Sequence, residues 1–208
     1  MTDFEETGNI VYSKPVLEFT TVANEICKFL ENPPSTEVVT LLNTLQKVLP
    51  FLYMKATLLP QTELLYDDGN EKFVTEDDWQ GIRNKLLLII GKNDSYLELT
   101  VEETDTDEAK VSSISENLAD IYQDLKDYSS LFQTGAEEIM NDALWEIKYN
   151  FQRYWGIKVL STMSTIHRLL ENPENIAIAN ENEITEDTSN WIISKKQEEY
   201  KTDNDHRL

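Results

Sequence analysis

Three carboxylates, Glu116, Asp120 and Asp124, recur at i, i+4 and i+8, with Asp127 close behind. On a helix this spacing puts all three on one face, where like charges repel by roughly a few tenths of a kcal/mol per pair. A divalent cation bound through oxygens would compensate them. Basic residues on a neighbouring helix would do the same, and a solvated face on an acidic protein is the third reading. If a cation is held, Glu137 and Glu138 join the stripe as candidate metal ligands. A second group lies further on. Between Trp145 and Leu170 the cations Lys148, Arg153, Lys158 and Arg168 meet the single acid Glu146. Trp145, Tyr149, Phe151, Tyr154 and Trp155 crowd the start of the same stretch. At about 100° per residue Lys148 falls inside the apolar arc of Leu144, Trp145, Phe151 and Trp155. A lysine there must snorkel, pair with an acid or line a cavity. A cationic floor with an aromatic rim suits a small anionic ligand; an aromatic core crossed by an interhelical ion pair is the other reading. One arrangement serves both groups: Lys148 or Arg153 faces Glu116, Asp120 or Asp124 across the bundle, with Trp145 and Trp155 beside them.

Other chemistries find little support. The chain has no glycine-rich phosphate loop, no G-x-S-x-G and no HExxH. His167 and His206 are its 2 histidines. Ser164, not a glutamate, stands three residues before His167, which removes the Glu-x-x-His pattern of a di-iron bundle. The lone cysteine, Cys27, sits among Ile26, Phe29 and Leu30 and reads as a small buried hydrophobe. With 18 basic and 39 acidic residues the net charge is −21. That field repels nucleic-acid backbones and anionic membranes and favours a cationic patch on a partner. An acidic N-terminus without an apolar stretch, and a longest apolar run of only Leu86–Ile90, lead to a cytoplasmic expectation.

The elements that must position these residues are mostly helical. Ser13 and Pro15 open a helix with an apolar face of Val16, Phe19, Val22/Ala23, Ile26 and Leu30, ended by Asn32-Pro33-Pro34. A second helix starts near Ser35 or Thr36 and carries Val38, Leu41, Leu45, Val48, Leu52, Ala56 and Leu59. Its register continues on both sides of Pro50, which favours a kink over a break. After a turn at 66–70, Thr75 caps a third helix with Trp79, Ile82, Leu86 and Ile89 on its buried stripe and Gly91 as its stop. Leu97, Leu99 and Val101 alternate with polar residues, so one short extended segment is expected near 96–101. Seven acids and no base between Asp94 and Glu108 read as a solvated loop. The fourth helix runs from Val111 through Ile114, Leu118, Ile121, Leu125 and Tyr128 to Phe132. The fifth, about 135–171, places Trp145, Tyr149, Gln152, Gly156, Val159, Met163, Ile166 and Leu170 in register and is expected at the centre of the fold. Gly156 predicts either close approach of another helix or a break. The whole reads as an all-α protein of about five helices, a single domain over 12–172 and an acidic tail over 173–208. In the tail Trp191, Ile192 and Ile193 either dock a short helix or remain mobile.

The run Ile114-Ser115-Glu116-Asn117-Leu118-Ala119-Asp120-Ile121-Tyr122-Gln123-Asp124-Leu125 resembles a bacterial family known as domain of unknown function 5063. Tyr96-Leu97-Glu98-Leu99, Trp145-Glu146-Ile147-Lys148-Tyr149-Asn150-Phe151 and Tyr154-Trp155-Gly156 are similar to it too, and the likeness covers about residues 10–172. It implies an all-helical domain and carries no activity, so it transfers no functional residue. The leading expectation is a non-catalytic binding or interaction protein, monomer or dimer, with an unknown protein partner or small ligand. A Mg-dependent hydrolase of the all-α nucleotide-pyrophosphatase kind is the alternative, although the paired glutamates of such enzymes are incomplete here. A small-molecule sensor using the Trp145–Trp155 pocket is the third.

Overall fold

Apolar spacing of three and four residues sets the architecture of the computed structural model, which describes residues 9–33, 36–66, 69–100, 108–174 and 176. Helix α1 (Lys14–Glu31) buries Val16, Phe19, Ala23, Ile26, Cys27 and Leu30, with Pro15 in the first turn where a missing N–H costs nothing. Ser13 precedes it in extended backbone, but its hydroxyl makes no capping bond. Burial pushes the Cys27 thiol up to about 12, as befits a packed hydrophobe. Helix α2 (Val38–Thr57) begins just after the expected start, at Glu37, and runs through Pro50 without a break. Leu49, Leu52 and Ala56, buried on both sides of the proline, hold the two halves in one register.

Helix α3 (Glu76–Ile90) starts at a reciprocal cap. The Thr75 hydroxyl accepts the Asp78 N–H at 3.2 Å and the Asp78 carboxylate accepts the Thr75 N–H at 3.0 Å. The bond from the Thr75 side chain holds the Asp78 carboxyl below the usual carboxylate range. Ile82, Leu86 and Ile90 form the buried stripe, while Trp79 and Ile89 are only partly covered.

The next stretch departs from expectation. Strand β1 (Ser95–Thr100) pairs antiparallel with a second strand, β2 (Glu108–Ser113), with Leu97 opposite Val111 and Glu98 opposite Lys110. Val111, expected to open the fourth helix, is therefore a strand residue and 67% exposed. Its spacing to Ile114 happens to continue the helical period, which is why the pattern misled. The solvated loop expected from Asp94 also fails at its first residue. Asp94 is 3% exposed and accepts the Ser115 N–H at 2.7 Å, with the Ser113 and Ser115 hydroxyls adding to it. Asp94 thus ties the start of the hairpin to the start of the next helix. Residues 101–107, Val101 among them, lie outside the described set.

Helix α4 (Ile114–Phe132) begins at Ser113, whose hydroxyl accepts the Glu116 N–H. It is this helix, not the fifth, that occupies the centre: it packs against α1, α3 and both halves of the fifth helix. Ile114, Leu118, Ile121, Leu125 and Tyr128 are all buried. Gly135 turns the chain at a φ of 72°. The fifth helix then runs as α5 (Glu137–Asn150) and α6 (Gly156–Leu170), joined by a π-helical turn, Phe151–Trp155. The result is an all-α bundle of five helices, the last one long, with a small two-stranded sheet on one flank. Of the tail expected over 173–208, Ile176 is buried against the core, and Trp191, Ile192 and Ile193 lie outside the described residues.

The π-turn accounts for both misfits in the fifth helix's apolar pattern. One extra residue in a turn shifts everything before it by about one position. The buried residues ahead of the turn and in it are accordingly Leu144, Ile147, Phe151 and Trp155 rather than Trp145, Tyr149 and Gln152, while Gly156, just past the turn, is buried as the seam predicts. Gly156 marks neither a break nor the close approach of another helix. A Cβ there would stand 2.4 Å from the carbonyl oxygen of Phe151 in the same helix.

Candidate functional site

The acidic stripe on α4 is compensated by separate donors from three directions. Glu116 receives Nη2 of Arg83 from α3 at 3.1 Å. Asp120 accepts the Trp79 indole N–H at 2.9 Å and forms an ion pair with Lys158 of α6. Burial alone would lower the Lys158 ammonium, but the bonds to Asp120 and Tyr154 and their charges together outweigh it and raise it above the usual lysine range. Asp124 accepts from Asn150 of α5 at 2.7 Å. Its carboxyl is pushed up to about 6, burial being the largest cause and the Asn150 bond acting against it. Three carboxylates at helical spacing thus make three unlike environments. Among the described residues no group of three or more His, Cys, Asp and Glu side chains stands close enough to hold a metal ion. Glu137 accepts from Asn9 at 2.7 Å, and Glu138 is exposed.

Lys148 and Arg153 do not face the stripe, which corrects the arrangement expected for them. Lys148 donates instead to the carbonyl oxygen of Leu59 at 2.7 Å. Arg153 is exposed, with its guanidinium 4.6 Å from the centre of the Tyr149 ring. The wheel that placed them assumes a uniform 100° per residue, and the π-turn breaks that assumption. The cation of the fifth helix that does reach the stripe is Lys158, on the far side of the turn. Trp155 is part of the core, fully buried, with its indole N–H donating to the Ile147 carbonyl at 3.2 Å. Trp145 stays at the surface, stacked on Tyr149 with centroids 5.0 Å apart.

A second feature went unread in the sequence. The described residues of the loop between α2 and α3, 59–66 and 69–75, have no regular structure, yet side chains of α4 and α5 bind them at several points. Asp142 accepts the backbone N–H groups of Leu65 and Tyr66 at 2.8 and 3.0 Å. Asp127 does the same for Phe73 and Val74, at 2.8 and 2.9 Å. Glu146 receives Asn70 and Lys72, and Asn141 donates to the Glu63 carbonyl. Charge-assisted bonds from pairs of backbone N–H groups offset part of the cost of burying these acids. The only sequence signal was an acid beside apolar neighbours, as with Asp142 between Met140, Ala143 and Leu144.

Held this way, the loop presents Leu64, Leu65, Tyr66 and Phe73 to solvent. At its start, Gln61 and Thr62 border a crevice of about 30 Å³ completed by Trp145, Lys148, Tyr149 and Gln152. Truncating Asp142 to alanine should cost about 2 kcal/mol, since two charge-assisted bonds to a buried carboxylate are lost. Amide exchange at Leu65 and Tyr66 should quicken while α1 and α2 stay protected. Unchanged exchange at those two amides would refute the anchoring role.

None of the curated proteins matches the chain. Among solved structures it is similar to protein BF1032 from Bacteroides fragilis, with a TM-score of 0.69 and 41% identity over 77% of this chain and 94% of that one. Residues 10–172 match the family described as Domain of unknown function (DUF5063), and the chain belongs to that family.

Proposed function

We propose that the protein is a cytoplasmic, bacterial, non-catalytic interaction module, and that the loop 59–75 is the surface it offers to a protein partner. The observation that carries this reading is the combination of firm anchorage and apolar exposure on one loop. Leu65 and Tyr66 are 55% and 57% exposed although their own backbone N–H groups are fixed by a buried carboxylate. A loop longer than about 12–15 residues in a compact domain is usually either functional or a linker, and side chains on loops fixed to a rigid scaffold bind without a large ordering cost. A group of exposed apolar side chains marks a contact surface.

Glu63 and Glu71 border the apolar side chains, and the chain carries −21 overall. The complementary partner has an apolar cleft edged by lysine or arginine. The same field disfavours nucleic acid and anionic lipid. It also favours a different protein over a second copy, which would bring two acidic rims together. No helix among the described residues is long and apolar enough to cross a membrane. The Mg-dependent hydrolase reading is weaker on geometry, because a cation on the stripe would have to displace Lys158, Trp79 and Arg83 from carboxylates they already occupy.

The test is the double variant Leu65→Ser/Tyr66→Ser. Exposed side chains contribute little to folding, so its stability should stay within about 0.5 kcal/mol of the parent. A protein captured from cell extract by the parent, and shown by calorimetry to bind it when purified, should lose that affinity for the variant. Marked unfolding of the variant, or undiminished binding, would count against the loop as a contact surface.

A further inference from the structure

The crevice at the start of the loop has the chemistry of a ligand site. Its residue Thr62 is only 9% exposed, and its hydroxyl has no hydrogen-bond partner. A buried hydroxyl left unpaired costs folding free energy, so a bound group is expected there. Lys148 lines the same space with one N–H committed to the Leu59 carbonyl and the ammonium's other donors to spare. Neither Lys148 nor Arg153 forms an ion pair with a carboxylate among the described residues, in a chain with 39 acids to 18 bases. Elsewhere in this fold Lys55, Lys72, Arg83, Lys126 and Lys158 all meet acids. Trp145 and Tyr149, stacked at 15°, form one wall, and Arg153 lies over the Tyr149 ring.

We propose that this crevice binds the carboxylate of a small organic acid, whose hydrocarbon part lies along Trp145 and Tyr149. Lys148 and the Thr62 hydroxyl donate to the carboxylate oxygens, and Arg153 adds positive charge at the rim. The crevice, about 30 Å³, is roomier than the ~10–15 Å³ that a single water needs. Its lining shares no residue with the apolar patch of Leu64, Leu65 and Tyr66, and neither proposal depends on the other.

Phenylacetate is a suitable probe, followed through the Trp145 indole N–H by two-dimensional NMR. The expected result is a saturable shift with a Kd of about 1 mM or tighter, and neither phenylacetamide nor inorganic phosphate should reproduce it. Thr62→Val keeps the side chain's shape and removes a hydroxyl that the fold leaves unpaired, so it should fold as the parent does. It should nonetheless weaken binding by about tenfold, and Lys148→Met by at least as much. The proposal is overturned if phenylacetate gives no saturable shift, as a crevice that holds only water would. An equal response to phenylacetamide would overturn it too, because stacking alone would then suffice. So would unchanged affinity in both variants. Binding of a peptide with a free C-terminal phenylalanine, but not of phenylacetate, would assign the site to protein C-termini and overturn the small-acid source.

Discussion

Replacing Gly156 with alanine is expected to destabilise the protein by about 2–3 kcal/mol, a cost in the range of core overpacking. Ordinary helix propensity points the other way, since alanine is favoured over glycine by about 1 kcal/mol in a helix interior. The difference comes from the π-turn. The Gly156 N–H bonds to the carbonyl of Phe151, five residues back. A Cβ would meet that oxygen at 2.4 Å and the Phe151 ring at 3.0 and 3.1 Å. A side-chain tip could swing away, but a hydrogen-bonded backbone oxygen cannot move without undoing the turn. Undoing it would rotate α5 by about one residue and carry Ile147, Leu144 and Phe151 off their buried positions. Gly81 on α3 supplies the control. It is exposed, and a methyl group added there would meet nothing within 4 Å, so Gly81→Ala should stabilise by about 1 kcal/mol. Chemical denaturation of the two variants should therefore give opposite signs. A gain in both would show that the π-turn is not required by the fold.

That pair of glycines also shows what could be read from the sequence. Wherever one face of a helix meets one core, the period survives, as it does for Val16 to Leu30 in α1 and Ile114 to Tyr128 in α4. The fifth helix broke the rule in a legible way. Gln152 and Gly156 were poor members of an apolar seam, and both anomalies have one cause, an inserted residue at the π-turn. What no period could reveal was the loop 59–75. Its fixing groups, Asp127, Asp142 and Glu146, act on backbone N–H groups and polar side chains far away in the chain, and such pairings leave no local pattern. The candidate site was readable to the same extent. Compensation of Glu116, Asp120 and Asp124 by neighbouring donors was among the readings of their spacing. The identity of those donors depended on a register that changes at Phe151–Trp155, so Lys158 took the place expected for Lys148.

Asp124→Asn is expected to stabilise the protein by up to about 3 kcal/mol above pH 7, and the gain should disappear on acidification. Asp124 titrates near 6 in the fold against an ordinary 3.8, with burial as the main cause. A raised carboxyl pKa means that the folded state holds the proton more tightly than the unfolded chain does. Well below pH 3.8 the group is protonated in both states and carries no penalty. As pH rises from about 4 to 6 the unfolded chain ionises while the fold still holds its proton. Each tenfold difference in proton affinity between the two states removes about 1.4 kcal/mol of stability, the loss being complete once the buried charge forms above 6. Asparagine cannot ionise, and it keeps the oxygen that accepts from Asn150. Lys72, Glu146 and Asp127 also face this carboxyl, Lys72 easing its ionisation and the two acids opposing it. Glu18, Glu31 and Asp78 are shifted the other way and make the whole protein less stable in acid. The quantity to measure is therefore the difference between variant and parent at each pH, not either curve alone. That difference should rise between about pH 4 and 7 and then level off. A difference that stays flat across this range would mean that Asp124 ionises in the fold as readily as it does in water.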